Sequence, residues 1–240
     1  MPSPTNQPAI NAKINVRVAV PLDLSSLIKR AHALLAGQYR FFLAFCLTGI
    51  LLGSIVPLGL LMGPTLTAIY CCLSDKEEKG AAGIQSIYRS FQHSADSLLA
   101  FMIMLASAFL FFVPTSLLLF RFGTDLYHAA SATGFQPLTI VIAGCLLIPP
   151  IASLQMIACI PFLFTFPLIA KYNCTAVEAI KLSIQALLNN PTTVIAIAAF
   201  LLGSNLVAAL LFYLPVILLI PINFSVIYIL TSDLYWADSA

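Results

Sequence analysis

Four long apolar blocks, at 41–73, 98–120, 138–170 and 191–231, dominate this chain, and its few charges collect in the short stretches between them. A helix rises about 1.5 Å per residue and needs about 20 residues to cross about 30 Å of hydrocarbon, so such blocks read as membrane spans. A water-soluble shell cannot be built from the remainder. Only 8% of the 240 residues are charged and 60% are hydrophobic, whereas a soluble domain carries roughly 25% charge. A net charge of +2 is too small to suggest nucleic acid as a partner. The first block follows forty residues that include Lys13, Arg17, Lys29, Arg30 and Arg40, which argues against a cleaved signal peptide.

Block length makes 98–120 one crossing and 191–231 two. Charge decides the other two blocks. If 41–73 is a hairpin and 138–170 a single kinked helix, ten of the eleven Lys and Arg fall on one side, leaving only Arg121 opposite. Since Lys and Arg accumulate on the cytoplasmic side, this arrangement is preferred. It predicts an all-α polytopic bundle of about six membrane helices, near 41–56, 58–73, 97–121, 138–170, 191–212 and 215–232. Residues 1–22 form a flexible or extended lead and 23–240 a single membrane domain, with both ends in the cytoplasm. In the first block Gly49 with Gly53, and Gly59 with Gly63, make two G-x-x-x-G spacings that let helices approach closely, with a turn expected near 56–58. A re-entrant form of this hairpin preserves the same charge count. Pro149, Pro150, Pro161 and Pro167 would kink the third block without ending it. Tyr235 and Trp236, just beyond the last block, suit interfacial anchors.

Each cytoplasmic stretch also contains an amphipathic segment. Leu24, Leu27, Ile28, Ala31, Leu34 and Leu35 keep helical spacing, as do Ile84, Ile87, Tyr88 and Phe91, and then Val177, Ile180, Ile184, Leu187 and Leu188. Thr175 and Glu178 have the spacing of a capping box, and Asn190 with Pro191 reads as a helix start. These three helices would lie in the membrane interface or pack under the bundle. Aligned on Ile28, Ile84 and Ile180, they suggest a threefold repeat of one surface helix plus two crossings. At the N-terminus, Ile14, Val16, Val18 and Val20 alternate with Asn15, Arg17 and Ala19, which suits a lead packed on these helices or a strand offered to a partner.

No catalytic, cofactor-binding or metal-binding constellation emerges. His32, His93 and His128 fall in separate loops, and the six cysteines read as small buried hydrophobes, although acylation of Cys71-Cys72 is conceivable from its position. Asp96 reads as part of its own helix cap. The run from Asp75 to Lys79 reads as a solvated loop. The costly intramembrane groups are the carboxamides Gln155, Asn205 and Asn223, which must find partners on neighbouring helices or line a narrow polar cavity.

The stretch Glu178-Ala-Ile-Lys-Leu-Ser183, the pair Asn189-Asn190 before a long apolar hairpin ending near Tyr228, and the Met62-Gly-Pro64 step carry a resemblance. Over residues 24–232 the chain resembles uncharacterised bacterial multi-pass families, related in layout to the membrane portion of some glycerophosphodiester phosphodiesterases. The resemblance implies a six-helix protein of the bacterial inner membrane. It carries over no catalytic residue, because the phosphodiesterase chemistry belongs to a separate soluble domain. The expectation is a non-enzymatic accessory or scaffold module whose partners are membrane lipids, other membrane proteins or its own copies, with a small-solute or lipid transporter or channel as the alternative.

Overall fold

Runs of Leu, Ile, Ala and Phe interrupted by short polar stretches form helix after helix in the computed structural model, which describes residues 14–55, 59–131, 158–210 and 214–237. Within them lie strand β1 (Ile14–Val16), then α1 (Leu24–Leu35), α2 (Tyr39–Ile55), α3 (Met62–Lys79), α4 (Ile84–Phe91) and α5 (Ser94–Ser131). A 3-10 turn (Ile160–Phe162), α6 (Thr165–Tyr172), α7 (Ala176–Asn189), α8 (Pro191–Leu210), α9 (Leu214–Leu234) and strand β2 (Tyr235–Ala237) follow. The architecture is all-helical apart from the two short strands. Among the described residues two segments are long and apolar enough to cross a membrane, Ser94–Leu117 and Ile217–Leu234. There are up to four if each of two bent pairs counts as one span: α1 meets α2 at 92° and α7 meets α8 at 103°.

The chain divides into two compact units, one holding the residues up to Met102 and from Pro161 onward, the other Ile103–Ile160. In the first unit α2 and α3 form an antiparallel hairpin. Gly49 faces Thr65 and Gly53 faces Met62, so a Cβ at either glycine would crowd the partner helix. Gly59 lies outside the helices with φ +64°, where a side chain would strain the backbone. Gly63 serves a third helix, since its Cβ would overlap the Ser97 carbonyl and Phe101 on α5. The expected turn at 56–58 lies outside the described residues.

After α3 the chain folds back, and α4 and the start of α5 run along it. Arg89 reaches Asp75 at 3.1 Å, and the hydroxyls of Ser97 and Thr67 meet at 2.7 Å. Helix α1 lies against α9 through Leu27, Ala31 and Leu35, all buried. Arg30 pairs with Asp233 near the end of α9, while the Tyr39 hydroxyl donates to the Leu218 carbonyl near its start, so the chain runs back along α9. Helix α6 is buried from Thr165 to Ala170 and supplies the middle of this unit's core, with α3 and α7 against it.

The described part of the second unit is the continuation of α5 together with residues 158–160. Its helix passes through Pro114, and the hydroxyls of Thr115 and Ser116 donate to the carbonyls of Phe111 and Phe112 at 2.6 and 2.7 Å. Such local bonds keep a proline-bearing helix continuous in an apolar setting. Phe109, Leu110, Val113, Leu117 and Phe120 are exposed along it.

Several expectations change. The third block is not one continuous helix in its described part, because the 3-10 turn separates α6 from what precedes it; the block's earlier residues, 138–157, lie outside the description. Helix α3 continues through Asp75–Lys79 and ends only at Gly80, with φ +76°, so this run is helix and not a solvated loop. Tyr235 is no interfacial anchor. It is 1% exposed, its hydroxyl donates to the Leu182 carbonyl at 3.1 Å, and its ring packs edge-on against Phe164; Trp236 remains exposed.

The amphipathic stripes divide too. That of α1 is buried on α9 at Leu27, Ala31 and Leu35. Those of α4 and α7 are exposed in part: Tyr88, Phe91, Val177, Ile184 and Leu188 face outward, while Ser86 and Ser90 of α4 and Ala176, Ala179, Ser183 and Ala186 of α7 are buried, and with them Ile180 of the expected α7 stripe. Small residues pack closest, so these helices turn that side to the protein.

Candidate functional site

The polar chemistry of the first unit concentrates where α3, α6 and α9 end. Asp75 lies four residues beyond Cys71 on the buried face of α3, and is 3% exposed. Its Oδ1 accepts from Lys79 Nζ at 2.7 Å and from Arg89 Nη1 at 3.1 Å. Arg89 also donates to the Ala170 carbonyl at the end of α6, at 3.4 Å. Burial pushes the Asp75 carboxyl up, but hydrogen bonds from Lys79 and Ser86 and the Arg89 charge outweigh it and hold the group below its usual 3.8.

Two residues further on, Glu77 Oε2 accepts from Lys171 Nζ at 2.8 Å and from the Tyr228 hydroxyl at 2.7 Å. The Lys171 ammonium also donates to Ser232 Oγ at 2.7 Å and sits 4.8 Å above the Tyr228 ring. Burial raises the Glu77 carboxyl, yet the hydrogen bonds from Lys171 and Tyr228 and the Lys171 charge bring it below its usual 4.5. The Ser232 and Lys171 pairing has the composition of a nucleophile and base. Both groups are otherwise engaged, Lys171 Nζ with Glu77 at 2.8 Å and Ser232 as donor to the Tyr228 carbonyl at 3.2 Å. Arg30 completes the set with a two-pronged bond to Asp233 at 2.8 and 2.9 Å, a form that fixes orientation as well as charge.

A second network ties the N-terminal segment down. Asn190, expected as a helix cap, instead accepts from Val20 N at 3.0 Å and donates to the Arg17 carbonyl at 2.7 Å, and Thr193 donates to the Val20 carbonyl at 2.8 Å. Arg17 N donates to the Leu234 carbonyl at 2.8 Å, and β1 pairs antiparallel with β2 in the register Ile14↔Ala237, Asn15↔Trp236, Val16↔Tyr235. The strand predicted at the N-terminus therefore pairs with the chain's own C-terminal segment. Asp96 also works at a distance. It accepts from Ala176 N at 2.9 Å and so caps α7, where Thr175 makes no side-chain cap.

Of the three carboxamides expected in membrane spans, Asn223 Nδ2 donates to Asn205 Oδ1 at 3.2 Å across the α8 and α9 hairpin; Gln155 lies outside the described residues. Gly49 and Gly53 meet α3, Gly59 turns the chain, and Gly63 meets α5. Cys71 and Cys72 are fully buried, which leaves no surface for acylation. Among the described residues no group of three or more His, Cys, Asp or Glu could hold a metal.

Sequence reading missed the two ion-pair clusters and the Asn190 clamp. A signal existed for Asp75, which continues the apolar face of Ala68, Cys71 and Cys72 at helical spacing. None existed for Arg89 or Lys171, whose partners depend on how the chain folds back. Comparison with protein-family models, with curated proteins and with solved structures finds no match to this chain.

Proposed function

We propose that this chain is a non-enzymatic integral membrane protein of the bacterial inner membrane, an accessory or scaffold module that holds polar helical surfaces at the cytoplasmic face. The observation that carries the reading is how the charged groups at the ends of α3, α6 and α9 are used. Asp75, Glu77, Arg89, Lys171 and Asp233 are engaged with one another or with Arg30, Lys79 and Tyr228. They brace helices and leave no acid and base facing a common cleft.

Topology supports the same reading. Hydrogen-bonded pairing of β1 with β2 supports both lying on one side of a bilayer, and with that an even number of crossings. Six satisfies that parity and the charge distribution together. The Asn205 and Asn223 contact favours helix association over a polar path, since each amide answers the other.

The module's contact surface is the outer side of α1, where Lys29, His32 and Ala33 are exposed. Purification in mild detergent followed by mass spectrometry of bound lipids and proteins tests this, comparing the native chain with a Lys29→Glu, Ala33→Glu variant. Companions lost from a variant that stays folded and membrane-bound are expected. An unchanged set of companions overturns the reading.

A further inference from the structure

The outward apolar faces of α4 and α7 call for an occupant, and we infer that it is the bilayer itself: both helices sit side-on in the acyl and headgroup boundary of the cytoplasmic leaflet. The inference rests on the membrane reading above and adds which surface helices touch lipid and which does not.

Depth along α3 places α4. Arg89 pairs with Asp75, and eight residues later Ser97 meets Thr67, which lies inside the apolar part of α3. Phe91 falls between these levels and Tyr88 precedes Arg89 by one residue, both near where α3 passes from apolar to charged, and they are 64% and 70% exposed. Tyr at such a boundary places its ring in the apolar layer and its hydroxyl among headgroups. Leu98, Leu99 and Met102, on the first turns of α5 a few residues further along the chain, are exposed as well, on a helix of membrane-spanning length.

Helix α7 reaches the same boundary by another route. It meets the apolar helix α8 at 103°, so where α8 crosses the bilayer α7 lies near its plane. Val177, Ile184 and Leu188 form the exposed stripe, with Lys181 at the same helical spacing. The lysine stem can follow the stripe and carry its ammonium out to lipid phosphates. Leu188 stands three residues before Pro191, and Ile195 continues the exposure on α8. Against the protein α7 turns Ala176, Ala179, Ser183 and Ala186, with Ser183 Oγ accepting from Phe164 N at 3.2 Å. Ile180 joins that buried side, so the protein takes the small residues and one large one, and Val177, Ile184 and Leu188 remain for lipid.

Single-tryptophan chains test this in vesicles of phosphatidylethanolamine and phosphatidylglycerol. In a Trp236→Phe background, tryptophan is placed by Tyr88→Trp, Leu188→Trp, Ala33→Trp or Leu110→Trp, and quenching is read with lipids brominated at shallow or deep acyl positions and with aqueous iodide. Residues 88 and 188 are expected to show blue-shifted emission lost chiefly to shallow bromines, and residue 33 emission lost to iodide. Iodide quenching at 88 and 188 with bromine quenching at 110 overturns the inference and leaves the membrane reading standing. Absence of bromine quenching at 110 overturns the membrane reading itself.

Discussion

Helices α1 and α7 have the same pattern and opposite fates. Each is amphipathic, and each bends by 92° or 103° into an apolar helix. Yet α1 buries its large residues Leu27 and Leu35 on α9, whereas α7 buries Ala176, Ala179, Ser183 and Ala186 with Ile180 as its one large residue, and leaves Val177, Ile184 and Leu188 outside. The difference lies in the opposite face. That of α1 carries Lys29, Arg30 and His32 and cannot approach a helix closely, so the apolar side docks. That of α7 carries alanines and serine, which permit close backbone approach to α6 and the ribbon.

The contrast is open to attack by substitution. Truncating Leu27 to Ala should cost about 3 kcal/mol of stability through lost burial and a residual cavity, whereas Leu188→Ala should stay within about 0.5 kcal/mol. Thermal unfolding in one detergent compares them directly. Equal losses would erase the distinction. Next in size, Ala179→Leu on the buried side of α7 should destabilise by about 2 kcal/mol through overpacking, while enlarging exposed Ala33 of α1 in the same way should leave unfolding unchanged. Asp96→Ala, which strips the remote cap from α7 alone, should cost about 1 kcal/mol and raise amide exchange in its first turn. Arg30→Ala, which removes the exposed ion pair from α1, should cost under about 1 kcal/mol, because a half-exposed pair gains little in water.

Acid tests the brace beneath both helices. The carboxyls of Asp75 and Glu77 sit below their usual values of 3.8 and 4.5. Their contribution is therefore full above those values and disappears as pH falls through the lower, folded ones. Unfolding temperature should drop on acidification below about pH 4, and Asp75→Asn should flatten that dependence.

Much of the helical layout was legible in the residues. Apolar length and cap residues locate α2, α8 and α9 to within a few positions, and helical spacing locates α1, α4 and α7. Amphipathicity tells that a face is apolar but not what covers it, so the faces of α4 and α7 needed the packed structure. Charge position misled at Asp75 for a related reason. Five charged or polar residues in a row resemble a loop until Arg89, fourteen residues away, folds back to neutralise the buried carboxylate. Asn190 and Asp96 carry ordinary cap signatures, and only distant backbone, at Val20 and at Ala176, shows where their oxygens bond.

The contrast between α1 and α7 is tested most directly by nitroxide labels at position 33 on α1 and position 188 on α7, with the protein in bilayers and relaxation by oxygen compared with relaxation by a water-soluble nickel chelate. The account predicts that oxygen dominates at 188 and nickel at 33. Nickel dominating at 188, or oxygen at 33, would contradict it.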